Sequence, residues 1–255
     1  MAMAVGHCRK SHVMWMPLVI GLALVAASGG GAATLNVPSD AYPTIQAGID
    51  GAAAGDVVVV AAGRYKENID FNGKAITVQS SNPTSPAVVA ATIIDGDQKG
   101  SVVTFNSGET AASVLRGLTI TNGSGTRDEF GQRRGAGLYC DNASPTLTRN
   151  IISGNSMSYD DGYGEAHLAG DGGGLYCGNS SATLTDNTLS GNSAYNGGGV
   201  YCISSSPTLT NNTISDNCAY WAGGGVYCGN SSATLTSNTI SGNSLRFDGG
   251  GVYCE

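Results

Sequence analysis

The segment GGGVYCISSSPTLTNNTISDN, Gly197 to Asn217, returns almost unchanged as GGGVYCGNSSATLTSNTISGN, Gly223 to Asn243. Aligned on their cysteines, the copies place Cys140, Cys177, Cys202, Cys228 and Cys254 at successive spacings of 37, 25, 26 and 26 residues. A period near 25 residues specifies a stacked repeat, because one such unit is too small to bury an apolar face alone. Within a unit Val200 and Cys202, then Leu209, then Ile214 alternate with Gly, Ser, Thr and Asn, which is the period of short strands. The runs SSSP and NN, with the variable tail after SDN, divide each unit into three strands of about five residues. Stacked in register, these units bury a continuous cylinder of Val, Leu, Ile and Cys. The expected fold is all-β, a parallel β-helix whose coils rise by ~4.8 Å, the ordinary strand spacing.

Matching asparagines recur at two corners: Asn150, Asn187, Asn212 and Asn238, and Asn155, Asn192, Asn217 and Asn243. Their side-chain amides are expected to stack as ladders, each donating to the neighbouring coil. The cysteines of one phase should form an inward ladder of free thiols acting as small core hydrophobes. In-register strands aim neighbouring Cβ vectors in parallel rather than at each other, which opposes disulfide closure. Cys218 replaces the serine found at Ser193 and Ser244; it either stays free or cross-links chains. The segment TIQAGIDGAA, Thr44 to Ala53, is the one convincing helix, with Thr44 as N-cap and Ile45 and Ile49 on one face. Its expected role is to cover the open first coil.

The GGGVYC…SPTLTNNTISGN units resemble the right-handed parallel β-helix repeats of the pectin-lyase-like superfamily, especially those of polymorphic outer-membrane proteins and related bacterial surface proteins. The segment YPTIQAGIDGAAAGDVVVVAAGRYKENIDFNGKAITVQS, Tyr42 to Ser80, is similar to the amino-terminal opening of many such domains. The resemblance covers residues 34–255, with 135–255 as the regular repeats. It implies the fold; for activity it leaves open lyases, hydrolases, esterases and non-catalytic adhesins.

Glycine is 39 of 255 residues, about twice usual usage, and the glycines hold fixed phases of the repeat, so they report turns rather than disorder. Residues 1–33 have the layout of a secretory signal peptide: basic Arg9 and Lys10, an apolar run from Val13 to Ala27, then small residues to Ala33. A retained anchor is the alternative, although the run is shorter than the ~20 residues of a span. Cleavage would leave 10 basic against 19 acidic residues, a net charge of −9, which disfavours nucleic acid and anionic membrane as partners. The sequence stops at GGGVYCE, one strand into a further unit. Either the polypeptide continues, or the open coil associates with another chain; otherwise a monomer is expected.

Units differ mainly between SGN and the next GGG. Inserts of SGTRDEFGQRR, Ser124 to Arg134, and SMSYDDGYGEAHLAGD, Ser156 to Asp171, leave one corner on adjacent coils, and SAYN, CAYWA and SLRFD occupy it later. That edge gathers Arg127, Asp128, Glu129, Arg133, Arg134, Tyr159, Asp160, Asp161, Tyr163, Glu165, His167, Tyr195, Tyr220, Trp221 and Phe247. Insertions on one face of a repeat protein mark its binding face. Such corner loops should contribute little to the stacked core, so residues 156–171 read as dispensable for stability. With Val and Cys inward, parity places Tyr139, Tyr176, Tyr201, Tyr227 and Tyr253 outward as a ladder. These rings either stack on one another or accept sugar faces.

A pectate-lyase-like site would need carboxylates around calcium and an Arg or Lys base, but the outward strand positions offer Gly, Tyr, Ile203 and only Asp141. Polygalacturonase-like NTD, GHG and RIK motifs are absent, and no esterase-like pair of groove aspartates is evident. The catalytic candidates are Asp160, Asp161, Glu165 and His167, since inverting hydrolases use two carboxyls about 6.5–9.5 Å apart. The bland alternative is a solvated or calcium-stiffened loop, with no other cofactor expected. DGDQKG, Asp95 to Gly100, places Lys99 at a calcium-ligand position and is expected to be a turn. Sequons at Asn142, Asn179, Asn211 and Asn230 follow from composition alone. The expectation is an exported cell-surface or secreted scaffold, non-catalytic, binding a polysaccharide or a host or neighbouring cell surface through the variable edge and Tyr139, Tyr176, Tyr201, Tyr227, Tyr195, Tyr220 and Trp221. The alternative is a pectin-lyase-like lyase or glycoside hydrolase acting on an acidic polysaccharide.

Overall fold

A computed structural model of the chain describes residues 31–160, 166–168, 170–245 and 250–255, with side chains described outside 158–168. The chain from Ala32 onward winds as a parallel β-helix. Three sheets run along the cylinder, one of eight strands from Thr34–Val37 to Thr234–Thr236 and two of seven, from Gly63–Lys66 to Thr239–Ser241 and from Ile69–Asp70 to Val252–Cys254. Each coil visits the three in turn, and equivalent residues pair directly: Cys140 with Cys177, Cys177 with Cys202, Cys202 with Cys228, and Cys228 with Cys254. Among the described residues no helix is long and apolar enough to cross a membrane, which says nothing of a β-barrel.

Alternation places Leu147, Leu184 and Leu209 on one wall, Ile152, Leu189 and Ile214 on the second, and Leu175, Val200 and Val226 with Cys177 and Cys202 on the third, all fully buried. Phe105 pairs in register with Cys140, so the cysteine phase is a core position that a larger side chain fills one coil earlier. All six cysteines from Cys140 to Cys254 carry free thiols. The adjacent Cys177 thiol, and then burial, push the Cys140 thiol well above its ordinary range. A buried neutral thiol is inert.

The corner asparagines form the expected ladders. Asn192 Oδ1 accepts from both the backbone N–H (3.1 Å) and the amide Nδ2 (3.0 Å) of Asn155, while its own Nδ2 donates to the Ile152 carbonyl (2.9 Å) and to Asn217 Oδ1 (3.0 Å). The same pattern repeats through Asn150, Asn187, Asn212 and Asn238. These ladders also account for the triple glycines. A Cβ on Gly199 would lie 2.5 Å from the Gly225 carbonyl oxygen and 3.0 Å from Asn217 Nδ2, and Gly197 opens the turn with φ of 60°. Only hydrogen fits at the first place, and a left-handed residue is needed at the second.

Helix α1 (Ile45–Gly51) covers the first coil, burying Ile45, Gly48 and Ile49. Thr44 caps it, its hydroxyl accepting from Ala47 N–H (3.0 Å). The coil below supplies the rest: the Glu67 carboxylate accepts from the N–H groups of Ile45 and Gln46 (both 3.0 Å), and Lys74 Nζ donates to the carbonyls of Ile49, Asp50 and Ala52. An anion thus sits at the helix N-terminus and a cation at its C-terminus, each opposite the backbone partial charge it stabilises.

Three features depart from expectation. A second helix, α2 (Pro86–Ala91), interrupts one coil. Its N-cap Ser85 followed by Pro86 is a start signal, but the segment occurs once and carries no repeat phase. The variable corner also forms a fourth short sheet, Ser193–Asn196, Cys218–Ala222 and Ser244–Leu245, so the later coils have an added strand beyond the three expected. Residues 156–171 are not separable from the coils either. Ser156 bridges Ser193, Met157 is fully buried against Ala136 and Ala194, and Asp171 bridges the coils on both sides.

Changing Asn192 to Ala should leave the buried Asn155 backbone N–H without its acceptor, while Asn155 Nδ2 keeps the Ile120 and Ser153 carbonyls, at a cost of about 1–3 kcal/mol, and lower the melting temperature measured by circular dichroism. A thiol reagent should label Cys218 in the native protein, and Cys140, Cys177, Cys202 and Cys228 only after denaturation, as read by mass spectrometry of the labelled peptides.

Candidate functional site

The insert Ser124 to Arg134 folds back as an antiparallel hairpin in which Thr126 pairs with Arg134 and Arg127 with Arg133. Asp128 closes its turn: Oδ1 accepts from the N–H groups of Phe130 (3.0 Å) and Gln132 (2.8 Å), and Oδ2 from Arg134 Nε (3.1 Å). Burial alone would raise Asp128, but the Gln132 N–H, Arg134 and the Phe130 N–H outweigh it and hold the carboxyl below its ordinary value.

Arg134 also donates to Asp171 one coil further on, and Asp171 Oδ1 accepts from Asn196 Nδ2 (2.9 Å) on the next. The guanidinium carbon lies 5.3 Å from the centre of the Tyr176 ring. Burial opposes the Arg134 charge, yet Asp171, Tyr176 and Asp128 together raise its pKa. Asp171 is the more confined of the pair, and burial pushes its carboxyl up against the pull of Arg134 and Asn196. Arg134, Asp171, Asn196 and Ala222 share one repeat phase. That column was legible in the sequence as Arg, Asp and Asn just before successive glycine runs.

Beneath the hairpin lies an open cleft of about 520 Å³. One wall is Asp128, Glu129, Phe130 and Arg134, the floor is Tyr139, Tyr176 and Asp141, and the far wall is the turn residues Asn142 and Asn179. Asp141 Oδ1 lies 2.5 Å from where a Gly178 Cβ would sit, so glycine at that outward position makes room for the carboxylate. Phe130 is 79 % exposed. Burial, and then the charges of Asp141 and Asp128, push the Tyr139 hydroxyl up to about 12, so it remains a hydrogen-bond donor across the ordinary pH range. A second concavity of about 250 Å³ under α2 contains the ion pair Arg149–Asp186 (3.3 Å), which closes on itself, and no aromatic ring lines it.

The outward tyrosines stack continuously: centroid separations are 5.6 Å for Tyr139–Tyr176, 5.5 Å for Tyr176–Tyr201, 4.7 Å for Tyr201–Tyr227 and 5.3 Å for Tyr227–Tyr253. Tyr176, Tyr201 and Tyr227 are buried, with each ring face turned to its neighbour. The stack therefore presents its edges to solvent along its length. Tyr195 and Tyr220 form a second stacked pair at 5.3 Å beside Trp221, which is 65 % exposed.

Among the catalytic candidates, Asp161 and Glu165 lie outside the described residues. The backbone of Asp160 and His167 belongs to the hairpin Ser158–Asp160 and Ala166–Leu168, where Tyr159 pairs with His167 and Asp160 with Ala166. Among the described residues no group of three or more His, Cys, Asp or Glu is placed to hold a metal. In the Asp95 to Gly100 turn, Lys99 and Lys66 contact Asp97 at 2.8 and 2.9 Å and hold its carboxyl at about 2. Two ammonium groups occupy that carboxylate. Asp141 reads in the sequence as a lone outward carboxylate and Phe130 as one residue of an insert; nothing in one unit shows that the insert folds as a hairpin carrying Phe130 over Asp141.

Residues 93–255 match the family model described as a right-handed β-helix region. Among curated proteins none is significantly similar in sequence. Among solved structures, the pectin methylesterase of Aspergillus niger is similar over 90 % of this chain and 84 % of its own, at 15 % identity and a TM-score of 0.51. YbhC of Escherichia coli is similar over 98 % and 74 %, at 13 % identity and a TM-score of 0.48, and the rice weevil pectin methylesterase over 82 % and 65 %, at 15 % and 0.42. At these identities the likeness is one of fold.

Replacing Arg134 by Met should destabilise the protein by about 2 kcal/mol near neutral pH, less than for a fully buried pair because these side chains retain some exposure. Without Arg134 the folded-state pKa of Asp171 climbs further above its unfolded value. A carboxyl of that kind adds stability that is fully present below its unfolded pKa and is lost as pH rises through its folded pKa. Part of the loss in the variant should therefore be recovered on acidification toward the ordinary aspartate range, measured as melting temperature against pH beside the unmodified protein.

Proposed function

Because the chain belongs to the right-handed β-helix family, we propose that it is an exported, non-catalytic scaffold of the cell surface or extracellular medium that binds a polysaccharide in the cleft beneath the Thr126–Arg134 hairpin. The observation that carries this reading is the composition of the cleft. An exposed Phe130, the Tyr139 and Tyr176 edges, the Asn142 and Asn179 turn and the Asp141 and Glu129 carboxylates face one open trough. Apolar rings among side-chain hydrogen-bonding groups, in an open groove, suit an extended chain that is hydroxylated at its edges and apolar on its faces. Stacked coils hold both walls at fixed spacing, so little ordering entropy is lost on binding. Export is supported by the layout of residues 1–33.

A second reading, an enzyme acting on a polysaccharide, is favoured by the Asp–Arg–Asp cluster, of which Asp128 and Arg134 line the cleft, and by the fold shared with the pectin methylesterase of Aspergillus niger. The hydrogen bonding weighs against it. Both Asp128 oxygens accept from the hairpin and Arg134, and both Asp171 oxygens are taken by Arg134 and Asn196. A carboxylate committed in this way is poorly placed to attack a carbonyl or to shuttle a proton.

Phe130→Ala should weaken binding to the best ligand of an immobilised polysaccharide panel by about tenfold, the usual worth of one aromatic contact, without a change in melting temperature. Incubation of the protein with the same panel, methyl-esterified pectin included, should release no reducing ends, unsaturated products or methanol. Release that Asp128→Asn abolishes would replace the scaffold reading with the enzymatic one.

A further inference from the structure

We infer that the cleft selects a sugar chain bearing protonated amines over one bearing carboxylates. The inference rests on the cleft being the glycan site and names the chemistry of its occupant.

The charges on its walls decide the matter. Asp128, Glu129 and Asp141 line the cleft against one cation, Arg134. That cation is already engaged by Asp128 at 3.1 Å, by Asp171, and by the Tyr176 ring at 5.3 Å. Glu129 and Asp141 have no ion pair among the described residues; Asp141 accepts from Asn142 Nδ2 at 2.9 Å and from the neutral Tyr139 hydroxyl, neither of which offsets its charge. The trough therefore carries uncompensated negative charge on two opposed surfaces, the hairpin wall and the strand floor. A uronate chain entering it would bring its carboxylates against Glu129 and Asp141 and find no free cation among the residues that line the cleft. A neutral chain would meet no such repulsion but would bring no charge to compensate either carboxylate as water is displaced.

An ammonium substituent answers both problems. Its three N–H donors match acceptor-only carboxylates, and charge-assisted hydrogen bonds are roughly twice as strong as neutral ones. Phe130, exposed and outside the tyrosine stack, adds electron-rich ring surface beside the same trough, a setting that attracts cations. The whole chain, at −7, biases encounter the same way.

The test uses the full chain and three oligosaccharide series of equal length, titrated calorimetrically at about pH 6, below the amine range: glucosamine oligomers, their N-acetylated counterparts, and galacturonate oligomers. Glucosamine oligomers should bind roughly tenfold tighter than the N-acetylated series, the worth of one charge-assisted bond, with galacturonate weakest. Raising salt should narrow the gap. Asp141→Asn and Glu129→Gln should each reduce glucosamine affinity several-fold, leave the N-acetylated series no weaker and leave the melting temperature unaltered. Asp40→Asn, an exposed carboxylate outside the cleft lining, should do nothing; an equal effect there would mean non-specific attraction and overturn the inference. Galacturonate binding as tightly as glucosamine overturns this inference alone and leaves the glycan reading standing. Failure of all three series to bind overturns both.

Discussion

Every coil is joined to the next by backbone hydrogen bonds that run along the axis, so each residue sits directly above its counterpart one turn earlier. All else follows from that register. Whatever occupies a position must tolerate a copy of itself about 4.8 Å away. Asn satisfies this by donating from its amide to the carbonyl oxygen of the next, Tyr by stacking its ring, and Cys by presenting a small neutral thiol. A charged residue repeated at one phase would meet its own charge. The Arg134, Asp171 and Asn196 column escapes this by alternating a cation, an anion and an amide.

The same register explains why the ends and the edge need different solutions. Along the cylinder the ladders are self-completing, but at the first coil the row of strands requires a lid. Helix α1 provides it, and its two ends are tied to the body by Glu67 and Lys74 rather than by its own seven residues. A helix that short is marginal in isolation. Its stability is borrowed from coil residues that lie some twenty positions later.

At the variable corner the chain leaves and rejoins the register at two fixed points, which permits inserts of different length. The permission has limits. Met157 fills the space between Ala136 and Ala194, and Asp171 carries the ionic link between coils, so the roots of the longer insert belong to the scaffold. The shorter insert folds over the strand floor and turns an otherwise flat face into a trough. Concavity, and with it a site, therefore arises where a hairpin from one coil overhangs the outward residues of its neighbours.

The sequence by itself determined the fold class, the wall to which each strand belongs, the inward cysteines, the two amide ladders and the capping role of α1, because all of these are consequences of period and parity. A residue's phase in a repeat states its direction without knowledge of anything distant. It left α2 unseen, since a segment that occurs once has no phase to read. It offered the outward tyrosines either to one another or to a sugar, and only the spacing of successive coils commits their faces to one another. It assigned Asp128 and Arg134 to the edge but could not say that their charges are spent on each other and on Asp171, nor that Asp141 and Glu129 are left unneutralised beneath Phe130. Those outcomes depend on how far a hairpin leans across neighbouring coils. That angle is set by contacts between residues with no periodic relation, and such contacts exist only in the tertiary structure.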